Sequence, residues 1–500
     1  MPDSAGAQYL ISPEAIELED FQNLLSHSHR LELSDSAHER IKRCSDFLEA
    51  KLSEGGPPIY GVTTGFGALC RVRISKEEAN TLQVNLVRSH AAGVGPAIDI
   101  ELVRKMLLLK IRNMSFGHSG VQMSTVQRLL DHLKEGLIPE VPEQGSLGAS
   151  GDLCPLAHLS LPLIGEGYLY HAGKRHEAKA LLKEKGWEPI DLRAKEGLAL
   201  LNGTQFMMAY AIECQLQAEK LLNLAELIAA MSVDARGALM VPFEERTHKL
   251  RNQLGQLRSA EMVREWLDGS PMANTGDQVQ DPYSFRCTPQ VHGASRDSLA
   301  HTRSIFTREL NAVTDNPLLF PEDGDALSGG NFHGQPLALA LDFLAIATAE
   351  IANLAERRAY RLLAGENGLP DFLNRNNSGM HSGFMIAQYT AASLVSQNKQ
   401  LCTPASVDSI SSSQEQEDHV SMGANAATKA LRICQNTEQV LAIAFMIAAQ
   451  ALNLRRPNRS SDRIEEIMTA YRKVVPMLDG DRTMAPDIAA TADFLRKLEV

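Results

Sequence analysis

Four stretches of this chain repeat apolar residues at three- and four-residue intervals: Glu101 to Met114, Thr204 to Met231, Pro336 to Leu363 and Thr428 to Leu454. That spacing is the signature of helices with one apolar face, and the stretches are long. The third opens on Pro336, which suits a first helical turn, and is followed by Gly365, which suits a C-terminal cap. At about 1.5 Å per residue it would span about 40 Å. Lengths of this kind predict a helical bundle.

Strand signals are short. "PPIYGVTT" (Pro57 to Thr64) reads as one strand, and "EGYLYHAGKRHEA" (Glu166 to Ala178) as a hairpin turning at Ala172-Gly173. Residues 265 to 295, polar and rich in turn formers, read as one long loop, and a loop of that length in a compact body is more often functional than accidental. No repeat of fixed period and no low-complexity linker appears. The 500 residues could make about three domains or one large helical body.

A net charge of −12 and a pI near 5.7 disfavour nucleic acid and an anionic membrane as partners, since both reward a basic surface. A small-molecule substrate fits better. The first residues, "MPDSAGAQYL", lack the basic and continuous apolar regions of a signal peptide. The richest apolar run, Val440 to Leu452, is interrupted by Gln450 and is too short to span a bilayer, so no membrane span is expected. Seven scattered cysteines without a CxxC pair point to reduced thiols and a cytoplasmic location.

Several chemistries can be struck off. GxxxxGK[ST], HExxH and GxSxG are absent, and the glycines at 145, 148 and 151 are spaced GxxGxxG, unlike a dinucleotide loop. Glu417-Asp418-His419 are consecutive, so on a helix their side chains would diverge, and no metal site is expected.

What remains is "GSLGASGDL", Gly145 to Leu153. It could be a tight turn with Asp152 as the N-cap of a following helix. The alternative is chemical. If the bend pressed the Gly151 nitrogen onto the Ala149 carbonyl carbon, the peptide could cyclise, and loss of two waters, one from the Ser150 hydroxyl, would leave an exocyclic methylene. Such a group is an electrophile, which no ordinary side chain supplies.

"GSLGASGDLCPLAH" resembles the signature of the aromatic amino-acid ammonia-lyases and aminomutases, in which an Ala-Ser-Gly tripeptide becomes a 4-methylidene-imidazole-5-one (MIO) group. "YGVTTGFG", "NLVRSHAAGVG", "KEGLALLNGTQ", "QDPYSFRCTPQ", "NAVTDNPLLF", "GGNFHGQP" and "QEDHVSMGANAA" recur in the family's order, so the resemblance covers nearly the whole chain. It is nearest to the histidine branch at "SHAAG" and "LNGTQ".

The resemblance implies a mostly α fold: a long antiparallel helical bundle with a small N-terminal mixed region carrying the MIO loop. Residues 1–200 would form that region and 201–500 the bundle, as one continuous catalytic unit. It also implies a homotetramer whose sites draw on three subunits, no metal or nucleotide, and elimination of ammonia from L-histidine to give trans-urocanate. Ala149, Ser150 and Gly151 would form the MIO group.

Tyr60 would be the base. Its phenol would be mostly neutral at pH 7 unless positive charge or hydrogen bonds favour the anion. Asn202, Gln280 and Tyr283 would line the MIO group, where fixed donors can stabilise developing charge. Arg286 would hold the substrate carboxylate through two parallel bonds. Phe332 would wall the pocket, and His90 would contact the substrate ring.

Gln397, in "LVSQNK", departs from the glutamate usual in histidine lyases, keeping the hydrogen bonding and losing the charge. Tyrosine and phenylalanine lyases, or an aminomutase, therefore stand as alternatives, with an inactive helical assembly protein as a remote one.

Overall fold

The structure, a computed structural model, describes residues 8–54, 58–67, 74, 78–375 and 379–500. The four periodic stretches are helices at Ile100–Ser115, Gln205–Arg236, Gln335–Leu362 and Gly423–Leu454. The first is capped by Asp99, whose side chain accepts from the Glu101 N–H. Pro336 sits in a first turn as expected, but Gly365 does not cap: the helix has already ended at Leu362. Gly365 instead serves a bend at φ +67, where a Cβ would lie 2.1 Å from Asp371 Oδ1. The last helix starts earlier than its apolar period because three of the five residues from Gly423 to Ala427 are alanine, which carries no stripe yet forms helix well.

Contacts divide the chain into two compact units. One comprises Met1–Glu213, Ser304–Leu341 and Pro404–Thr428; the other comprises Cys214–Arg303, Asp342–Thr403 and Lys429–Val500.

The second unit is a helical bundle whose directions follow from its cross-helix bonds. Thr302 donates to Gln215 while Arg296 reaches Asn223 and Glu226, so the Thr288–Leu310 helix runs antiparallel to Gln205–Arg236. Ser295 donates to Ala347 O and Arg358 to Thr288, which sets Gln335–Leu362 antiparallel to Thr288–Leu310. Gln388 with Glu356 and Cys402 with Ala345 do the same for Met385–Leu401. Gly423–Leu454 runs parallel to Gln335–Leu362, Lys429 pairing with Asp342 and Thr437 with Thr348, because the Met385–Leu401 helix has turned the chain back between them.

Two helices, Gln335–Leu362 and Gly423–Leu454, are in fact long and apolar enough to cross a membrane, which corrects the expectation from composition; 72% and 78% of their apolar windows are buried within the protein. These are core helices. Gln450, the polar interruption, is buried and exchanges two bonds with the Leu478 backbone, so it costs the core little.

The first unit carries the strands, all short. Val94–Ala97 pairs with Pro142–Gln144, and Ile138–Pro139 joins the hairpin Tyr168–His171/Lys174–Glu177 in one antiparallel sheet. The hairpin turns where expected, with Ala172 and Gly173 both at positive φ.

Two expectations are overturned. Of "PPIYGVTT", Pro57 lies outside the described residues, and the rest forms a turn instead of a strand: Gly61 adopts φ +65 and Ile59 N–H donates to Thr63 Oγ1 at 2.8 Å. The irregular stretch at 265–295 is much shorter than expected. A helical turn, Tyr283–Arg286, follows Pro282, and the Thr288–Leu310 helix carries Pro289 in its first turn, where a missing N–H is harmless.

Candidate active site

The Gly145-Leu153 bend lies in the first unit. Gly151 sits at φ +74 and pairs with Gly203, and the neighbouring Asp152 N–H donates to Gly203 O at 2.7 Å. A Cβ on Gly151 would lie 2.1 Å from that carbonyl oxygen, so no other residue fits. On the other flank, Met422 N–H donates to Leu147 O at 3.0 Å and Ser421 Oγ to Gly148 O at 3.3 Å. The bend is clamped on both sides.

Asp152 is not the side-chain cap of the Leu153–Ser160 helix that follows it. Its fully buried carboxylate accepts from Ser146 Oγ at 3.2 Å and from Met207 N–H at 3.0 Å, in the first turn of Gln205–Arg236. Burial pushes this carboxyl up to about 7 against those bonds.

Ser150 opens on a cavity of about 290 Å³. Its polar lining is Tyr60, His90, Ser150, Asn202, Ser413 and Glu417, and Leu86, Leu153, Leu198 and Leu201 supply apolar wall. Its size suits one small ligand. Tyr60 Oη accepts from Gly67 N–H at 2.9 Å, the kind of bond a basic phenol needs. His90 ends the Ala79–His90 helix, and its Nδ1 lies 2.9 Å from Leu86 O. A carbonyl only accepts, so Nδ1 carries the proton and Nε2 is left as an acceptor. Burial lowers the His90 pKa below its ordinary range, with Leu86 O and Glu417 opposing, so the ring is neutral at pH 7.

Asn202 directly follows the Glu196–Leu201 helix and its Nδ2 donates to Asn316 O at 2.9 Å. In the sequence Glu417 stands out only as one of three consecutive residues of metal-ligating type. It stands in a short bridge with Ser412 and accepts from Ser412 Oγ at 2.7 Å, which turns it toward the cavity while Asp418 and His419 stay exposed. The one signal for it was its place in "QEDHVSMGANAA". Among the described residues no group of three or more His, Cys, Asp or Glu could hold a metal ion.

Other expected residues lie elsewhere in this chain. Phe332 belongs to the first unit, half-buried in the turn before Gln335–Leu362, and is not in the cavity lining. Gln280, Tyr283, Arg286 and Gln397 belong to the second unit. There Asp281 is buried, accepting from Leu239 N–H at 2.7 Å and Gln278 Nε2 at 2.9 Å, and this anchor leaves its neighbours outside. Gln280 is exposed, Tyr283 is 69% exposed, and the Arg286 guanidinium stacks over the Tyr283 ring at 4.5 Å. Gln397 is exposed and accepts from Asn436 Nδ2 at 2.8 Å.

Comparison with known proteins matches residues 16–473 to the model of the aromatic amino acid lyase family. A histidine ammonia-lyase of Symbiobacterium thermophilum is 50% identical over 477 residues, 95% of this chain and 94% of the relative. Among solved structures, histidine ammonia-lyase from Trypanosoma cruzi superposes with a TM-score of 0.90 at 40% identity, covering 98% of this chain and 93% of that one. Tyrosine aminomutase from Streptomyces globisporus superposes with 0.92 at 36% identity, covering 98% and 97%. Both solved structures share the predominantly helical fold.

Proposed function

The chain belongs to the aromatic amino acid lyase family, and on that premise we propose that it eliminates ammonia from L-histidine to give trans-urocanate, with an MIO group made from its own Ala149, Ser150 and Gly151. The observation that carries the reading is the clamped bend. Gly151 has room for no side chain, and Ser150 faces a cavity furnished with a phenol, an imidazole, an amide and a carboxylate.

The MIO group, once formed, supplies the electrophile that makes the amino group leave. Tyr60 takes the β-proton, and the Gly67 N–H stabilises the negative charge its oxygen holds on doing so. The neutral His90 Nε2 accepts from the substrate imidazole N–H, and Glu417 stands on the same wall. Asn202 shares the cavity wall with Ser150, its amide nitrogen held by Asn316 O.

Gln280, Tyr283 and Arg286 act from a neighbouring copy, Arg286 on the substrate carboxylate and the other two beside the MIO group, within a homotetramer. Phe332 and Gln397 complete the pocket wall in that assembly. Support comes from the exposure of Tyr283 and of large apolar side chains, Phe343 and Ile346 on one helix and Ile386 and Tyr389 on another, since such surface is usually covered by a partner. The six described cysteines are free thiols, which supports a reducing, cytoplasmic setting; Cys70 lies outside the described residues.

Gln397 favours a second reading, tyrosine as substrate. Purified protein incubated with L-histidine, L-tyrosine and L-phenylalanine decides by the ultraviolet absorbance of each unsaturated acid. Urocanate is expected. The intact mass should fall two waters below that of the sequence, and Ser150→Ala should restore both waters and lose nearly all turnover. A wild-type mass equal to the sequence, or an active Ser150→Ala, overturns the proposal.

A further inference from the structure

Lys110, on the Ile100–Ser115 helix, is 0% exposed, and a lysine ammonium in such a place ordinarily sits against a carboxylate. Lys105, one turn and a residue earlier, does so, reaching Glu213 at 2.9 Å. Lys110 does not. Its Nζ donates to two backbone carbonyls, Asn202 O at 2.7 Å and Ala199 O at 3.2 Å. The nearby Asp315 is taken by Lys195 at 2.7 Å, both fully buried, and Asp152 by backbone and Ser146.

Those two carbonyls close the Glu196–Leu201 helix, which has only six residues. A helix this short does not hold its own position, and its last carbonyls have no partners within it. Partial negative charge collects there and partial positive charge at the start. The start is met by the buried Glu196 carboxylate, which accepts from Gln122 N–H at 2.9 Å, Thr125 Oγ1 at 2.6 Å and Arg193 N–H at 2.8 Å. The end is met by Lys110. The helix is therefore held at both ends, by a hydrogen-bonded carboxylate at its start and by a buried amine donor at its end.

The residue that leaves this grip is Asn202. Its backbone N–H donates to Leu198 O and its side chain to Asn316 O, and the next residue, Gly203, is the one paired with Gly151. We propose that Lys110 is a positioning residue that holds Asn202 against the Ser150 face of the cavity by binding the carbonyls at the end of the Glu196–Leu201 helix. The inference rests on the catalytic role given to Asn202 above.

The test compares wild type with Lys110→Met, in the full-length assembly, by three measurements: intact mass, kinetics on whichever of the three amino acids wild type consumes, and amide hydrogen exchange of peptides covering residues 198–207. Lys110→Met should keep the two-water mass deficit, lose at least tenfold in kcat with KM changed less than threefold, and exchange faster over 198–207 than wild type. If it fails to fold, Lys110→Leu, which likewise removes every donor, is judged by the same criteria. A kcat within twofold of wild type, unchanged exchange over 198–207, or a lost mass deficit overturns the proposal. Failure of the parent reading looks different: wild type itself lacks the deficit or consumes none of the amino acids, and exchange alone then judges Lys110.

Discussion

The Gly67 N–H donates to the phenol oxygen of Tyr60 at 2.9 Å, a bond between residues close in the chain that falls on the most acidic of the hydroxyls lining the cavity. A donor at that oxygen favours the charged form over the neutral one. Tyr60→Phe keeps the ring and removes the oxygen, so kcat should fall by about 10² to 10⁴ with KM little changed. The mass deficit of two waters should survive. A variant that keeps a tenth of wild-type kcat would place the base elsewhere.

Gln397 is exposed and only accepts from Asn436, so Gln397→Glu leaves an acceptor in place and should shift stability by less than about 0.5 kcal/mol. Its kinetic effect separates the substrates. With histidine the restored carboxylate should preserve or raise kcat/KM, whereas beside a phenol it brings an unpaired charge into a desolvated pocket and should lower it. Measuring kcat/KM on both amino acids from about pH 6 to about pH 10 distinguishes them. Loss of tyrosine turnover in a protein inert to histidine would overturn the histidine assignment.

Arg286 stacks on Tyr283 and carries the planar fork that a carboxylate fits. Arg286→Lys keeps the charge and loses both the fork and the stack, which should weaken substrate binding by roughly 1 to 3 kcal/mol. The readout is KM, expected to rise about 5- to 150-fold. Unchanged kinetics would show that Arg286 serves no site in the assembly.

His132 is buried against Trp187, ring centroids 5.8 Å apart, and neither ring nitrogen has a hydrogen-bond partner. Burial, with Arg128 adding to it, pushes its pKa down from 6.5 to about 3. Below pH 6.5 the unfolded chain takes up a proton that the folded chain refuses. This term is therefore harmless above pH 6.5 and destabilises by about 1.4 kcal/mol per unit as the pH falls toward 3. His132→Phe keeps a ring against Trp187 and abolishes the titration. Its urea midpoint should gain on that of wild type progressively from pH 7 to about 4; a constant gap would refute the assignment.

The periodic stretches, the Ala172-Gly173 hairpin and the tight bend at Gly145 to Leu153 were legible because each is written in local spacing: three to four residues for a helix face, two adjacent residues for a turn, closely spaced glycines for the bend. Where local rules leave two outcomes open, the sequence reading went astray. The short stretch around Tyr60 reads as a strand, but Gly61 turns the chain there; the polar, turn-rich stretch at 265–295 reads as loop, but helix starts at Tyr283 and Thr288.

Tertiary structure alone put Glu417 on the wall with His90 and Ser150, bound the Asp152 carboxylate to the start of another helix, and set Lys110 against the end of a third. These partners are 55 to 327 residues apart in the sequence. Contacts of that range leave no period in the chain, since they exist only once the loops between them have been closed and the entropy of closing them has been met by packing elsewhere. A charged residue bound for such a contact reads, one position at a time, like any other residue on a helix or in a turn.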